Sequence, residues 1–476
     1  MSPDDEPSNL DPLFKPKSVA IIGVSDDPLK FSSWIIPGMK QIGYSGKIFP
    51  VNPKRPEISG IKCYDSISNL PEIPDLAIII IPSSGVKQVL QECIRIGVKA
   101  TIVITAEVEF GTAQPEVERT ELLAQAHSSG MRICGPNCEG VIHLGARNWA
   151  TFLSHTSPIR GNIAFVTQSG GVGEFVLHKL WERKAGASGW VSSGNEMDLQ
   201  VADYIEYFAK DPDTKVISVF LEAVRDGPRF IRAAKTAFEA RKPLVILKVG
   251  RSEQGRKTAL THTGAIAGKY GVYMGLFRQL GIVRARSIQE LVDLPLALAW
   301  EPLPAGNRLG IVADSGGIAA VFADQADQEG LTVPDFEDQT REELAKVLPS
   351  LARANNPLDI TALVGPKEFP DSLESIARII LQDRNCDMLI LGISYWPQEI
   401  FSDVLRALER LHKIAGGKVS KPILPVLTAI TSETHRELLS EAAEFKLPVY
   451  LTPEAAIAGA RALYEYSQAR RQGLDL

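Results

Sequence analysis

Short apolar runs alternate with longer amphipathic segments along the first third of the chain. Four of these runs have the length of a buried strand: Ser18–Gly23, Lys47–Val51, Leu76–Ile81 and Thr101–Thr105. Helical patterns lie between the runs, for example from Val86 to Gly97. Strands that alternate with helices in this way predict a parallel, doubly wound α/β sheet.

The same alternation begins again twice further along the chain. The apolar runs of these later blocks are Gly161–Val166, Val216–Phe220, Leu244–Lys248, Arg308–Val312, Met388–Gly392 and Pro422–Val426. Each block opens with a strand, a Ser-Gly-Gly turn and a helix, and the two turns are Ser169–Gly171 and Ser315–Gly317. The shared opening predicts two copies of one domain type. A total of 476 residues also suggests about three domains of 100–200 residues each.

Composition limits the possible partners and the compartment. A net charge of −6 and the lack of a basic tract argue against nucleic acid. No apolar run reaches the roughly 18–20 residues of a membrane span, and the first residues lack a signal-peptide core. Five scattered cysteines favour the reducing cytoplasm, and no second Cys/His pair accompanies Cys134 and Cys138, so we expect no metal site.

A glycine turn follows the first predicted strand, at Gly23-Val24-Ser25. Such a turn into a helix N-terminus favours phosphate, but without a full GxGxxG pattern it is also typical of a plain βα turn. Lys47 opens the next strand and Lys54 follows its end. These lysines either hold phosphate groups or are solvated.

A second glycine turn, Thr167–Gly171, also lies between a strand and a helix. Its free amides and the Ser169 hydroxyl are suited to an anion, although a structural turn remains an alternative. Glu222 ends another apolar run, at the edge where α/β sheets place their chemistry. It could orient a histidine or form an ordinary salt bridge.

One histidine stands apart from the other six. His262 lies in Thr261–Gly268, among small and hydroxylated residues that leave room for another group to approach. Neutral imidazole is a nucleophile near pH 7 and can form covalent intermediates. From this context alone, a buried structural histidine is the alternative.

Eight stretches, in collinear order, resemble the α subunit of ADP-forming (nucleoside-diphosphate-forming) acyl-CoA synthetases, relatives of succinyl-CoA synthetase. They are SVAIIGVS, GKIFPVNPK, GPNCEG, VTQSGG, SSGNEMDLQVADYIEY, FLEAVRDG, LKVGRSEQGRKTALTHTGAIAG and NNPLDITALVG. The resemblance implies a flexible arm over 1–15 and a CoA-binding, Rossmann-like domain over 16–147. Two flavodoxin-like ligase domains would follow, over 148–303, which carries the phosphohistidine, and over 304–476.

The resemblance also implies roles for individual residues. His262 matches the histidine that carries the phosphoryl group, and Glu222 matches the carboxylate that supports it. The phosphate-holding loop matches Ser169, Gly170 and Gly171. The positions that match CoA contacts are Gly23, Val24, Ser25, Lys47, Asn52, Pro53, Ile104, Thr105 and Ala106. The implied reaction activates a small carboxylic acid as an acyl phosphate before the thioester of CoA forms.

The nucleotide site of the resembling family has no counterpart in this chain. That family's ATP-grasp domains hold ATP and Mg²⁺, and nothing after residue 305 resembles one. We therefore expect ATP and Mg²⁺ to bind on a separate ATP-grasp β subunit, in an α2β2 assembly.

Two acidic residues depart from the resembling family. Glu139 stands where a small or apolar residue usually follows Gly-Pro-Asn-Cys. Glu174 stands at a position that matches a substrate-contacting tyrosine in succinyl-CoA synthetase. Two carboxylates would repel a dicarboxylate such as succinate and would suit an acid with a cationic or hydrogen-donating tail.

Other interpretations of the substrate region remain open at this point. The nearby aromatic residues Trp149, Phe152 and Trp181 would instead suit an aromatic acid. The two glutamates could also face solvent or pair with Arg147 or Lys179.

Two other functions compete with a catalytic α subunit. A non-catalytic regulator that binds CoA or acyl-CoA could keep the same fold, although the presence of both His262 and Glu222 argues against it. A nicotinamide-dependent oxidoreductase needs an acidic ribose ligand after the second strand, where this chain has Asn52-Pro53-Lys54.

Overall fold

The computed structural model describes residues 9–110, 114–153, 158–257, 269–350, 352–361, 367–394, 398–415, 420–428 and 432–474. Its contacts divide the chain into two compact units, Met1–His178 with Gly186–Tyr273, and Lys179–Ala185 with Met274–Leu476. Among the described residues, no helix combines the length and the apolar character needed to cross a membrane.

The first sheet is parallel and doubly wound. The strands of this region are β1 (Ser18–Ile22), β2 (Lys47–Val51), β3 (Glu57–Ile58), β4 (Ile61–Lys62), β5 (Leu76–Ile79), β6 (Ala100–Val103) and β7 (Arg132–Cys134). Its helices are α1 (Asp11–Phe14), α2 (Ile35–Gln41), α3 (Ser83–Ile96) and α4 (Pro115–Ser128). The parallel strands pair in the order β2-β1-β5-β6-β7, while β3 and β4 form a hairpin. The carboxyl ends of β1 and β5 therefore flank the switch point, where such sheets bind ligands.

Helix α3 shows how the sequence builds this layer. Val86, Leu90 and Cys93 recur at helical spacing and are fully buried, so one face of the helix packs against the core. The helix ends at Gly97, whose φ of +93° suits glycine and whose N–H bonds back to the carbonyls of Cys93 and Ile94. The predicted helix from Val86 to Gly97 is confirmed.

The second sheet begins with an antiparallel hairpin. Its strands are β8 (Gly140–His143), β9 (Asn148–Thr151), β10 (Arg160–Thr167), β11 (Ala187–Ser192), β12 (Val216–Leu221) and β13 (Leu244–Lys248). The helices of this region are α5 (Gly170–Glu182), α6 (Val201–Lys210), α7 (Gly227–Glu239) and α8 (Tyr270–Gln279). The strands pair in the order β13-β12-β10-β11-β8-β9, and the first four are parallel.

The second unit contains the third parallel sheet. The strands of this unit are β14 (Val283–Arg284), β15 (Leu309–Ala313), β16 (Leu358–Asp359), β17 (Met388–Ser394) and β18 (Ile423–Thr428), and the last four form the sheet. Its helices are α9 (Glu290–Trp300), α10 (Gly316–Gln328), α11 (Asp338–Val347), α12 (Phe369–Gln382), α13 (Gln398–Ala415), α14 (Ser432–Glu444) and α15 (Pro453–Gln472). The order β16-β15-β17-β18 repeats the order β11-β10-β12-β13 of the second sheet. This shared topology confirms the predicted duplication.

Two details differ from the sequence expectations. The arm predicted over 1–15 is not loose from residue 9 onward, because Leu13 and Phe14 of α1 are fully buried and the Phe14 ring stacks on Tyr207 at 4.2 Å. The sequence also did not predict that β8, which falls within the domain expected over 16–147, pairs with β11 of the second sheet. The apolar residues of these short segments were too few to show which core they join.

A buried carboxylate connects the segment before α6 to β7. Asp198 accepts hydrogen bonds from Arg132 Nε at 2.9 Å and from Ile133 N at 2.8 Å, and its Oδ1 lies 2.8 Å from His127 Nε2. Burial opposes ionisation, but these donors outweigh it and lower the pKa of Asp198 from 3.8 to about 2. Its stabilising effect is therefore fully present above pH 3.8 and is lost as the pH falls through 2.

The Asp198→Asn variant is expected to unfold more easily. At neutral pH the free energy of unfolding should fall by about 3 kcal/mol, because Arg132 keeps its buried charge without a counter-charge. Urea denaturation measures the change, and the difference from the wild type should shrink as the pH is lowered toward 2. Asp338, whose side chain is 86% exposed in its ion pair, provides the control D338N. An equal loss in both variants would contradict the argument.

Candidate functional site

The turn after β1 brings two backbone segments into contact. Gly23 has a φ of +90°, and its N–H donates to the Val51 carbonyl at 3.0 Å. A Cβ at this position would overlap the carbonyl oxygen of Ile80, which follows β5. Only glycine fits this turn, which lies at the switch point of the first sheet.

Side chains from the neighbouring strand ends fix the same edge. Asn52 Nδ2 donates to the Val24 carbonyl at 2.9 Å, and Thr105 Oγ1 donates to the Ile81 carbonyl at 2.7 Å. The expected CoA contacts at the carboxyl ends of β1, β2 and β6 are therefore brought to one edge of the sheet: Gly23, Val24, Ser25, Asn52, Pro53, Ile104, Thr105 and Ala106.

Lys47 does not lie with this group. It is the first residue of β2 and stands beside Ser18, whereas Val51 stands beside Ile22 at the far end. The four steps of the strand separate Lys47 from that edge by about 13 Å, and its ammonium group pairs with Glu72. Lys54, whose N–H bonds to Asn52 Oδ1 at 2.9 Å, is the lysine on the expected side. The direction of a parallel strand is the signal that distinguishes the two lysines.

The loop after β10 leads directly into α5. Thr167 Oγ1 accepts from Ser169 N at 3.1 Å and donates to the Ser169 carbonyl at 2.6 Å, which fixes the turn. Gly170 and Gly171 are the first residues of the helix, and a Cβ on Gly171 would meet nothing within 4 Å. The first amides of a helix lack helical partners, so this loop presents N–H groups and the positive end of the helix dipole to an anion.

Gln168 joins this loop to the end of β12. Its Oε1 accepts from the backbone N–H groups of Glu222 at 2.6 Å and Ala223 at 2.9 Å, and its Nε2 donates to the Ala223 carbonyl at 2.9 Å. Sequence reasoning placed Gln168 in the loop motif but gave it no role. The structure thus brings Glu222, which is 6% exposed, next to the Ser169–Gly171 loop, the candidate phosphate loop.

Lys248 supports the same strand end from β13. Its ammonium group donates to the carbonyls of Glu222 at 2.7 Å and Val249 at 2.6 Å, and it lies 4.7 Å from the centre of the Tyr273 ring. Burial lowers the pKa of Lys248 to about 8, while the nearby charge of Glu222 opposes that shift. Lys248 also had no role in the sequence predictions.

The Gln168→Leu variant is expected to be less stable by about 3 kcal/mol, because leucine leaves three buried backbone groups without partners. Thermal or urea unfolding measures the loss. Gln339→Leu removes an amide from an exposed helical pair and should change stability by about 0.5 kcal/mol at most. An unchanged transition in Q168L would show that the loop does not depend on this amide.

One short segment joins the first sheet to the phosphate loop. The N–H of Asn137 donates to the Thr105 carbonyl at 2.9 Å, at the end of β6. Two residues later, the Glu139 carboxyl group lies so close to Gly170 that a Cβ there would overlap it. Because two residues span about 7 Å, both candidate sites lie within reach of one elongated ligand.

The structure shows whether Glu139 and Glu174 face solvent, pair with a basic residue or line the candidate site. The carboxyl of Glu139 is half-buried, and its pKa is raised to about 7 by burial and by the charge of Glu174. Glu174 Oε1 lies 3.5 Å from His178 Nε2 on the next turn of α5, and Lys179 pairs with Glu182. Glu139 therefore faces the phosphate loop rather than open solvent.

Two of the three aromatic residues suggested for a substrate pocket, Trp149 and Phe152, pack against other parts of the chain. Trp149 is 3% exposed, and its ring packs where a Cβ on Gly38 would be, while Phe152 stacks on Phe31 at 5.1 Å. His262 and its neighbours from Thr261 to Gly268 lie outside the described residues.

Family comparisons agree with this arrangement. A CoA binding domain matches residues 17–144, a succinyl-CoA ligase like flavodoxin domain matches 160–298, and a ligase-CoA domain matches 309–471. A CoA-binding domain followed by two ligase domains defines the class of acyl-CoA ligases related to succinyl-CoA synthetase.

Individual relatives narrow the class. The chain is 36% identical to the ADP-forming acetate–CoA ligase II subunit alpha of Pyrococcus furiosus, over 96% of this chain and 98% of that one. It is 38% identical to the ADP-forming acetate–CoA ligase I of Archaeoglobus fulgidus, over 84% of this chain and 56% of that longer one. A solved structure, the dinucleotide forming acetyl-coenzyme A synthetase 1 of Ca. Korarchaeum cryptofilum in complex with phosphate and ADP, superposes with a TM-score of 0.86 at 33% identity. That match covers 98% of both chains. The chain belongs to the α-subunit family of the ADP-forming acyl-CoA synthetases.

Proposed function

We propose that this chain performs the acyl-activating and thioester-forming half of an ADP-forming acyl-CoA synthetase, with a phosphohistidine at His262. One observation carries the proposal. The segment from Asn137 to Glu139 contacts the switch-point edge of the first sheet at one end and the phosphate loop at the other. A phosphoryl group at the loop and a thiol carried from that edge can therefore meet at one place.

The reaction balances through two intermediates. In the forward direction, ATP phosphorylates the His262 imidazole and leaves as ADP. A substrate carboxylate oxygen then takes the phosphoryl group, which gives an acyl phosphate and frees the imidazole. A C–S bond replaces the C–O bond at the acyl carbon, inorganic phosphate leaves, and the thiol proton passes to solvent or phosphate. The acyl phosphate is a better acyl donor than the free carboxylate, because phosphate is a good leaving group.

Each part of the described site has a role in this scheme. Ser169, Gly170 and Gly171 hold the transferred phosphate through loop amides and the helix dipole. Glu222 accepts the N–H of the imidazole and fixes its tautomer, so that the other nitrogen carries the phosphoryl group. Gln168 and Lys248 position Glu222 by holding the backbone on either side of its side chain.

The CoA site fits the edge built around Gly23. A close backbone turn there, and the open carboxyl ends of β1, β2 and β6, suit the phosphate-bearing end of CoA, which supplies the thiol. The residues that would hold it are those of the sequence prediction without Lys47, and with Lys54 in its place.

The nucleotide belongs to a partner in this proposal. The Pyrococcus furiosus relative is named a subunit alpha, and the Archaeoglobus fulgidus relative is a longer chain of which this one matches 56%. We infer an ATP-grasp β subunit that binds ATP and Mg²⁺, in an α2β2 assembly. The named substrate of both relatives is acetate, so a small monocarboxylic acid is the first substrate to test.

Labelled phosphate tests the proposal from the acyl-CoA side, before any nucleotide is added. The full-length chain, co-purified with its ATP-grasp partner, is incubated with acetyl-CoA and radioactive inorganic phosphate. An acid-labile, base-stable label on the chain, which chases to ADP as ATP, is expected for the phosphohistidine route. Binding of CoA without any label would instead support a non-catalytic CoA-binding regulator. Turnover on acetate, succinate, an aryl acid and a betaine-like acid then identifies the acid, and sedimentation gives the stoichiometry.

A further inference from the structure

The Glu139 carboxyl group lies where a phosphoryl group bound by the Ser169–Gly171 loop would bring a second negative charge close to it. It lies against Gly170, the first residue of α5, in the loop whose N–H groups are suited to phosphate. Its Oε2 atom is buried and has no hydrogen-bond partner within the described residues. A buried carboxyl oxygen without a hydrogen-bond partner costs free energy. A ligand bound at the loop could supply the missing partner.

Among the described residues, no charged side chain near Glu139 offsets its negative charge. Glu174 faces it from α5, one helical turn after Gly170, and adds a like charge. The Cys138 thiol beside it is buried, and the pKa of that thiol is raised well above its usual value, so it is uncharged. Over the described residues, no ion pair links Glu139 to a cation. A phosphoryl group held by the loop would add further negative charge within a few ångströms.

An ionised Glu139 would therefore repel the group that the loop binds, whereas a protonated Glu139 can donate a hydrogen bond to it. We propose that Glu139 is a catalytic residue whose carboxylic acid form donates a hydrogen bond to an oxygen of the acyl phosphate at the Gly170 loop. This inference rests on the proposed function. The hydrogen bond stabilises the negative charge that develops on the departing phosphate oxygen as the acyl C–O bond breaks.

Burial and the charge of Glu174 already raise the pKa of Glu139 to about 7. A bound phosphate dianion raises that pKa further, because it is another negative charge. Since the active form is protonated, the rate should fall as the pH rises through the pKa of the bound state. A permanent neutral donor at this position should remove that dependence.

The E139Q and E139A variants test the hydrogen bond, in the full chain co-purified with its ATP-grasp partner. Thioester formation from acetyl phosphate and CoA is followed between pH 5.5 and 9. We expect E139A to lose about 100-fold in rate. E139Q should stay within about fivefold of the wild type below pH 7 and lose the alkaline decrease, because its amide still donates. E182Q removes an exposed carboxylate about 18 Å further along α5 and should leave the profile unchanged.

Each outcome has a definite meaning. An E139Q rate as low as that of E139A, or an alkaline limb retained in E139Q, would overturn the donor role. An unchanged pH profile with a new preference between acetate and a betaine-like acid would make Glu139 a specificity residue and overturn the inference as well. No thioester from the wild type would contradict the proposed function itself, and the donor role would fall with it.

Discussion

Replacement of His262 by alanine is expected to abolish turnover, with a loss of at least about 10³-fold. Without the imidazole, the phosphoryl group has no carrier between the nucleotide and the carboxylate. Incubation with acetyl-CoA and labelled phosphate should leave the variant unlabelled, and ATP with acetate and CoA should give no ADP. Thioester formation from added acetyl phosphate should persist, because that step does not need the carrier.

The persistence of that step separates a missing nucleophile from a misfolded chain. H127A is the matched control, because His127 is a half-exposed histidine held by Asp198 and should affect stability but not labelling. Full labelling of H262A would place the phosphoryl group on another residue. Loss of the acetyl phosphate reaction as well would show that the substitution disrupts the site as a whole.

The apolar runs predicted most of the fold because parallel strands buried on both faces are nearly continuous in hydrophobicity. Lys47–Val51 and Leu244–Lys248 have the predicted bounds, and the other predicted strands differ by one or two residues at one or both ends. The duplication was also visible, because the turns at Ser169 and Ser315 must repeat wherever the strand–turn–helix unit repeats. What the runs could not show was which sheet a short segment joins, as with β8 and β11.

Candidate site residues were predictable where backbone geometry requires a particular residue type. Gly23 is such a position, because its φ is +90° and a Cβ would overlap the Ile80 carbonyl. Lys47 opens β2, and in a parallel sheet the first residue of a strand lies at the edge opposite the carboxyl ends. Chain direction therefore already separated Lys47 from Lys54, which follows the carboxyl end of β2.

The features of the candidate site that the sequence did not predict depend on contacts between residues distant in sequence. Gln168 and Glu222 are 54 positions apart, and no local pattern indicates that one amide holds the backbone of the other. The same holds for Glu139 and Gly170, which belong to different motifs and meet only in the folded chain. These contacts supply the positioning of Glu222 and the inferred donor, which the sequence alone could not assign.

The Gly23→Ala variant is expected to lose CoA-dependent activity while it keeps phosphorylation of His262 by ATP. A Cβ would push the Ile80 carbonyl away from the β1 turn, and with it the edge formed by Asn52 and Thr105. We expect the KM for CoA to rise by at least about tenfold, the equivalent of 1.4 kcal/mol. Isothermal titration with CoA and labelling from ATP through the partner subunit measure the two effects on the same preparation.

The control for this variant is Gly97→Ala. Gly97 has a φ of +93°, close to the +90° of Gly23, but a Cβ there would meet nothing within 4 Å. Both variants carry the conformational cost of a left-handed alanine, about 1 kcal/mol, and only G23A adds the overlap with Ile80. Equal CoA affinity in G23A and G97A would mean that CoA does not bind at the switch point of the first sheet. Loss of ATP-dependent labelling in G23A would instead show that the β1 turn supports the whole first unit.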